Sequence, residues 1–322
     1  MVSKIEISHR TIIFVVLLLA ALWLVLEIRD ILFLLFISFI VMSALRPYVE
    51  YLERFRIPRA LSILFIYIVL FGIVGAAVSS LVPTLVAQTT RFIVNLPNVI
   101  SRINPDFVFD LRSFTSQLTP IGENLVRVTV NIFSNIFALL TVLVFSFYML
   151  LERRHLTQYL EQVIPDELTG RSVKAVESVE DSLGAWLRGE LVLMLSIGTL
   201  TYIGLSFLSV EFALPLAIIA GLLEIVPVIG PIVSAVPAVL VAFAVSPFLA
   251  LATAALYFLI QQVENNIIVP VVMKRAVGIS PLITILALLI GSRLAGITGA
   301  VLAVPIVVTL RAILRSIYGK DN

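Results

Sequence analysis

Residues 11–26 read TIIFVVLLLAALWLVL, a stretch without a charged side chain. A second apolar stretch, residues 30–46, follows directly after the short charged turn Glu27-Ile28-Arg29-Asp30. A helix needs about 17 to 25 mostly apolar residues to cross a bilayer. No small-residue cleavage site separates the two stretches, so we interpret the first as a membrane span and not as a removable signal peptide. Together they predict a helical hairpin within a membrane.

The composition extends this interpretation to the whole chain. Hydrophobic residues make up 60% of the 322 residues and charged residues only 13%, whereas a soluble domain carries about a quarter charged residues. A bilayer admits only helices or closed β-barrels, because every backbone polar group must find a partner within the protein. Barrel strands alternate apolar and polar residues, but the apolar runs here are continuous, as in residues 191–207. We therefore predict an all-α polytopic membrane protein.

The apolar runs predict about eight transmembrane segments. Six runs have the length of single spans and two regions are longer, namely 11–28, 30–46, 60–82, 129–151, 189–209 and 248–269, then 212–246 and 281–317. If the N-terminus is cytoplasmic, sixteen of the 22 Lys and Arg residues flank spans on the cytoplasmic side, as the positive-inside rule requires. The sequence thus predicts a multi-pass protein of the cell (inner or cytoplasmic) membrane with both termini in the cytoplasm.

We expect a single membrane domain, residues 1–322, with three distinct parts. Residues 83–128 form an external amphipathic segment, which either lies on the membrane surface as short helices or caps the spans. Residues 152–188 form a cytoplasmic helical loop, in which the Pro-Asp-Glu of residues 165–167 favours a helix start. Residues 212–317 form the motif-bearing transport core.

The region 212–246 is too long for one span and is interrupted by Pro227-Val228-Ile229-Gly230-Pro231. Two prolines and a glycine free backbone groups, so no straight helix passes through this stretch. Residues 281–314 look like a second copy, with Ala295-Gly296 at the place of Ile229-Gly230. Each region is either a re-entrant hairpin or a pair of full spans. Since one span lies between them, two re-entrant hairpins would enter the membrane from opposite sides.

Polar residues near these breaks are the candidates for a binding site. Tyr257, Gln261, Glu264 and Asn265 share one helical face, and burying such groups against lipid costs several kcal/mol. The full set of candidates for binding a solute or ion is Glu224, Pro227, Gly230, Pro231, Gln261, Glu264, Asn265, Arg293 and Gly296.

Structural roles are the alternative for the charged candidates. Glu264 and its amide neighbours would then cap helix ends at the cytoplasmic interface. Glu224 and Arg293 would form a buried ion pair or bind carbonyl groups freed by the breaks.

Several classes of function are excluded. The chain has no cysteine, and its two histidines, His9 and His155, lie in polar flanks, so a span offers neither thiolate nor imidazole. No His-Glu-x-x-His pair is present and no aspartate lies inside a span, so we predict neither an intramembrane enzyme nor a metal centre. No nucleotide-binding Gly-x-x-x-x-Gly-Lys-Ser/Thr loop is present, and the net charge of +2 gives no sign of nucleic-acid binding. We predict no catalytic residue and no cofactor.

Several motifs stand in order along the C-terminal third. They are EIVPVIGP at 224–231, QVENN at 262–266 leading to PVVM at 270–273, VGISPL at 277–282, and Ala295-Gly296, Gly299-Ala300 and Val304-Pro305. These motifs resemble those of the autoinducer-2 exporter (AI-2E) family of bacterial and archaeal permeases. The resemblance implies a transporter with about eight apolar segments, cytoplasmic termini and a homo-oligomeric assembly. It also implies export of a small signalling furanone or, as in some relatives, sodium or lithium/proton antiport.

We therefore expect a secondary transporter, a permease or exporter whose partners are the lipid bilayer and a small-molecule or ion substrate. A poorly hydrated carboxylate can hold a proton at neutral pH, so Glu224 or Glu264 would bind the coupling cation. Half-helix N-termini near Gly230 and Gly296 would face an anionic or oxygen-rich solute. A passive channel, in which the breaks form the filter, is the alternative.

Overall fold

The computed structural model describes residues 9–76, 136–155, 166–273 and 280–318, with the single positions 79, 83, 87 and 158. Within these ranges the chain is helical and contains no strand, which confirms the all-α prediction. The helices are α1 (His9–Glu27), α2 (Arg29–Glu53), α3 (Arg59–Ala76), α4 (Ile136–Glu152), α5 (Asp166–Phe207), α6 (Ala213–Leu223), α7 (Ile229–Val245), α8 (Pro247–Val263) and α9 (Pro281–Tyr318).

Six of the described helices are long and apolar enough to cross a membrane. They are α1, α2, α3, α5, α9, and α8 with its extension to Val272. Helix α4 covers the end of the predicted span 129–151, while the beginning of that span and nearly all of the external segment 83–128 lie outside the described residues. Helices α6 and α7, with 11 and 17 residues, are shorter. The chain is thus a multi-pass helical membrane protein, and the total of eight segments stays a prediction.

Helix α5 joins the predicted cytoplasmic loop to the following span without a break. It runs for 42 residues from Asp166, which is about 63 Å at 1.5 Å per residue. The hydrocarbon core of a bilayer is only about 30 Å thick. The charged residues of α5 all lie between Asp166 and Glu190, while residues 191–207 carry none. One rigid helix therefore connects a charged, water-compatible part to a membrane part.

The first broken segment consists of α6 and α7, which pack against each other across the turn 224–228. Gly230 lies against the backbone of Leu223 and Glu224, where any Cβ atom would clash. The chain reverses direction here because glycine allows the start of α7 to touch the end of α6.

The second broken segment is α9, which turns back on itself at Ala295 and Gly296. Gly296 has φ 59°, and a Cβ atom on either Gly291 or Gly299 would clash with the carbonyl group of the other. In a straight helix, residues eight positions apart are about 12 Å apart. Residues 281–294 and 297–318 therefore form a second helical hairpin. Both segments reverse the chain at the positions that the sequence predicted.

A glycine and an arginine hold α5 against α2. The backbone of Gly184 approaches the carbonyl group of Ser43, a contact that only a small residue permits. Pro47, four residues after Ser43, has no N–H group to bond that carbonyl. Instead Arg188 Nη1 donates to the carbonyl oxygens of Ala44 at 3.0 Å and Ser43 at 3.5 Å. The side chain of Arg188 is thus committed to the α2–α5 contact.

Candidate functional site

Three buried glutamates meet where α5, the α6–α7 turn and the end of α8 pack together. Glu190 belongs to α5, Glu224 follows the last residue of α6, and Glu264 opens a π-helical turn (Glu264–Ile268) that extends α8. Their exposed fractions are 2%, 2% and 6%, respectively. Each carboxyl group lies within electrostatic range of the other two. We call these three residues the glutamate cluster.

Two members of the glutamate cluster touch. The carboxyl groups of Glu224 and Glu264 lie at hydrogen-bonding distance from each other, and Gln261 Nε2 donates to Glu264 Oε2 at 2.9 Å. Two ionised carboxylates repel each other at such range, whereas a carboxylate and a carboxylic acid form a hydrogen bond by sharing one proton. The contact is therefore attractive only when the pair holds a proton.

No cation among the described residues neutralises the cluster. One oxygen of Glu190 and one of Glu224 have no hydrogen-bond partner there, and Arg188 is turned toward α2. Glu180, also on α5 and only 1% exposed, provides the contrast because two arginines form ion pairs with it. An unpaired buried charge costs many kcal/mol. Among the described residues nothing offsets this cost, so bound protons or a small cation would be needed to neutralise the cluster.

The α6–α7 turn holds Glu224 in place. At Val228 the backbone has φ 69° and ψ −48°, and the Ile229 N–H group donates to the carbonyl oxygen of Pro227 at 2.8 Å. This is a γ-turn of the rare, strained kind. Pro231, half-buried in the first turn of α7, has a backbone angle that suits a helix start. The candidates Pro227, Gly230 and Pro231 thus shape the turn and offer no polar side chain of their own.

The π-helical turn decides which polar residues at the end of α8 face inward. Such a turn contains one residue more than an α-helical turn and shifts the side chains that follow. Glu264 is buried and Gln261 half-buried, but Asn265 is exposed. The predicted common face therefore holds for Tyr257, Gln261 and Glu264 and does not hold for Asn265.

Two buried hydroxyl groups continue this face of α8 away from the cluster. Thr253 and Tyr257 are four residues apart and 0% and 8% exposed. Within the described part of the chain, neither hydroxyl has a hydrogen-bond partner. Buried polar groups in proteins are almost always paired, so these two hydroxyl groups are candidates for binding water or a ligand. Helix α8 thus carries a polar stripe, Thr253, Tyr257, Gln261 and Glu264.

The second break does not join the cluster within one chain. Arg293 and Gly296 are exposed, and α9 packs chiefly against α5. Among the described residues Arg293 has no ion pair, so the alternative of a buried Glu224–Arg293 pair is absent from this structure. The predicted site formed jointly by both breaks is reduced here to the first break and the end of α8.

Sequence reasoning missed Glu190, because it follows Arg188 and Gly189 at the charged boundary of the predicted span. The helical periodicity of α5 nevertheless indicates that Glu190 is buried. Glu190 is in helical register with residues that are all buried, Leu193, Ile197, Thr201 and Leu205. An ionisable residue on the buried stripe of a membrane helix is a candidate for function by default.

The chain is similar to known transport proteins along most of its length. The family model described as "AI-2E family transporter" matches residues 12–319. Two Bacillus subtilis proteins described as candidate transport proteins are 30% identical to the chain. YueF aligns over 296 residues, 84% of this chain and 80% of its own length, and YrrI over 310 residues, 91% and 87%. The AI-2 transport protein TqsA of Escherichia coli is 28% identical over 292 residues, 86% of this chain and 83% of TqsA.

Proposed function

The chain belongs to the AI-2E family of transporters, and we propose that it carries a small solute across the cell membrane by proton-coupled secondary transport. The observation that carries the proposal is the buried contact between Glu224 and Glu264, which no cation of the described residues neutralises. Ionisable residues inside a membrane are costly and are kept mainly for proton relays and ion or substrate paths.

The Glu224–Glu264 pair binds the coupling proton. With the proton bound, the pair is compatible with a closed, water-free site. After the proton leaves, the charged pair favours a conformation in which water reaches it, because a charge is far more stable when hydrated. The proton therefore has a different affinity for the two conformations, which is the condition for shifting their equilibrium. The strained turn at Val228 and the π-helical turn at Glu264 lie beside the pair and provide the irregular backbone for such a change.

For the solute we propose a small, oxygen-rich signalling molecule of the autoinducer-2 kind, moved outward. The relative TqsA is named for transport of AI-2. The polar stripe of α8 supports this choice, since the hydroxyls of Thr253 and Tyr257 and the amide of Gln261 offer hydrogen bonds to hydroxyl or carbonyl groups. The solute would lie along α8, next to the pair that holds the proton.

We propose that both hairpins are re-entrant and that both termini are cytoplasmic. Helix α6 has 11 residues, about 16 Å, and residues 281–294 extend for about 21 Å, against roughly 30 Å of hydrocarbon. The hairpin α6–α7 would enter from outside and that of α9 from the cytoplasm. We also carry over the homo-oligomeric assembly implied by the family resemblance.

Sodium or lithium/proton antiport is the second candidate function. It is favoured by the chemistry of the Glu224–Glu264 pair, whose two carboxylates offer oxygen ligands of the kind that hard cations prefer. In the described residues no three acidic or histidine side chains are grouped to hold a metal ion. A monovalent cation would therefore compete with the proton at the Glu224–Glu264 pair. A passive channel would need neither ion.

The test uses the purified protein in proteoliposomes that enclose a pH-sensitive dye. Autoinducer-2, sodium or lithium is added on one side, and the variants are Glu224→Gln, Glu264→Gln and the control Glu177→Gln, a water-exposed position on α5. We expect autoinducer-2 to drive proton movement in wild type and control, and neither Gln variant at the pair to support it. Proton movement driven by sodium or lithium alone selects antiport. Equal flux in all four proteins overturns the coupling role.

A further inference from the structure

We propose that Glu190 relays protons between the cytoplasmic face and the Glu224–Glu264 pair. This inference rests on the proposed function, since it names how the coupling proton reaches the pair. Glu190 lies outside the motifs of the C-terminal third and belongs to a different helix, α5.

The position of Glu190 on α5 suits a relay. It lies two residues after Arg188, the last charged residue before the apolar stretch of α5. In the proposed orientation, Glu190 is therefore the ionisable residue at the cytoplasmic end of the membrane part of α5, close to cytoplasmic water. Glu190 is only 2% exposed, and its Oε1 atom has no hydrogen-bond partner in the described structure. A structural carboxylate at this depth would be paired, as Glu180 is.

The charged groups around Glu190 come from three directions. Glu224 faces it from the α6–α7 turn and Glu264 from the end of α8. On its own helix Arg188 is engaged with α2. Helix α9 packs beside this part of α5 with apolar side chains, Leu302, Val304 and Val308. Among the described residues, the ionisable groups that face Glu190 are thus the carboxyl groups of Glu224 and Glu264, and a proton is the species that the three can exchange.

The relay consists of two balanced transfers. First, hydronium at the cytoplasmic face gives its proton to the Glu190 carboxylate, which forms an O–H bond and releases water. Next, this O–H bond breaks while a new O–H bond forms on the unprotonated Glu224–Glu264 pair, directly or through one water molecule. Glu190 returns to its ionised form, and the pair holds the proton. The reverse sequence releases a proton to the cytoplasm.

The test compares wild type with Glu190→Gln, Glu190→Asp and the control Glu177→Gln in the proteoliposomes described above. Glutamine keeps the size and polarity of the side chain but cannot exchange a proton. We expect Glu190→Gln to slow proton movement by roughly tenfold or more, Glu190→Asp to keep part of the rate, and the control to match wild type. Rates for Glu190→Gln within about twofold of wild type overturn the relay.

A second readout separates a relay from a merely structural role. Dicyclohexylcarbodiimide reacts with protonated carboxyl groups in apolar surroundings, and mass spectrometry locates the modified residue. We expect Glu224 or Glu264 to be modified equally in wild type and in Glu190→Gln, because the relay changes the rate of proton exchange and not the pair itself. Loss of this modification in Glu190→Gln contradicts the relay. If wild type moves no protons under any gradient, the proposed function fails as well. If Glu190→Gln moves protons as fast as wild type while Glu264→Gln moves none, the relay is wrong but the proposed function stands.

Discussion

Arg188 donates a hydrogen bond of 3.0 Å to the carbonyl oxygen of Ala44, across the contact between α5 and α2. The neighbouring carbonyl of Ser43 is the one that Pro47 leaves without its helical partner. Arg188 also approaches that Ser43 carbonyl, at 3.5 Å, and its contacts with α2 turn the nearest cation in the sequence away from Glu190. The side chain of Arg188 therefore supports the helix contact and does not act as a counter-charge to the glutamate cluster.

Replacing Arg188 by methionine should destabilise the protein. The variant keeps the length and apolar contacts of the side chain but removes the donor to the Ser43 and Ala44 carbonyls and leaves the Ser43 carbonyl, which Pro47 cannot bond, without a partner, at a cost of about 1–3 kcal/mol. We expect a lower unfolding temperature of the detergent-solubilised protein. Arg171→Met, an exposed position on the same helix, is the control. An unfolding temperature equal to that of the control would show that Arg188 does not support α2.

A methyl group at Gly299 should disturb the hairpin of α9. Its Cβ atom would meet the carbonyl group of Gly291, and forcing extra volume into a tight contact costs about 1–3 kcal/mol. We expect Gly299→Ala to lower the unfolding temperature in detergent. Gly72→Ala is the matched control, because a Cβ atom at Gly72 meets nothing within 4 Å and alanine favours the helix by up to about 1 kcal/mol. If both variants are equally stable, residues 281–294 and 297–318 do not pack as described.

Labelling of single cysteines should show where the hairpin of α9 ends. The natural chain has no cysteine, so each variant carries one thiol. We expect a membrane-impermeant maleimide added outside intact cells to label Glu211→Cys but neither Glu177→Cys nor Ile297→Cys. Ile297 is 84% exposed at the tip of the α9 hairpin, so a lack of labelling means that the tip does not reach the outer surface. Labelling of Ile297→Cys from outside would make α9 two full spans.

The sequence was sufficient for the fold class and for the place of both breaks. Continuous apolar runs and the Pro-Gly stretch act locally, so they need no knowledge of neighbouring helices. Glu224 and Glu264 were also predictable as candidates, because each is a charge placed beside a break or within an apolar run. Their contact was not predictable, since forty residues separate them and only helix packing brings them together.

The positions of the remaining site residues could not be predicted from helical periodicity alone. The π-helical turn at Glu264 moves Asn265 off the face that a regular helix would give it. Arg293 lies near its break in sequence, yet the packing of α9 on α5 leaves it exposed. Glu190 was not identified as a candidate because it stands beside charged residues at the boundary of the predicted span, although its helical register with Leu193 and Ile197 indicated a buried position.

Infrared difference spectroscopy of the protein in lipid is the most direct test of the central claim, that Glu224 and Glu264 share a proton. The carbonyl stretch of a protonated carboxylic acid is distinct from that of a carboxylate and shifts in heavy water. We expect this band in wild type at neutral pH, its loss in the double variant Glu224→Gln with Glu264→Gln, and its retention in Glu177→Gln. A wild-type spectrum without the band at neutral pH, or a band that the double variant leaves unchanged, would contradict the account.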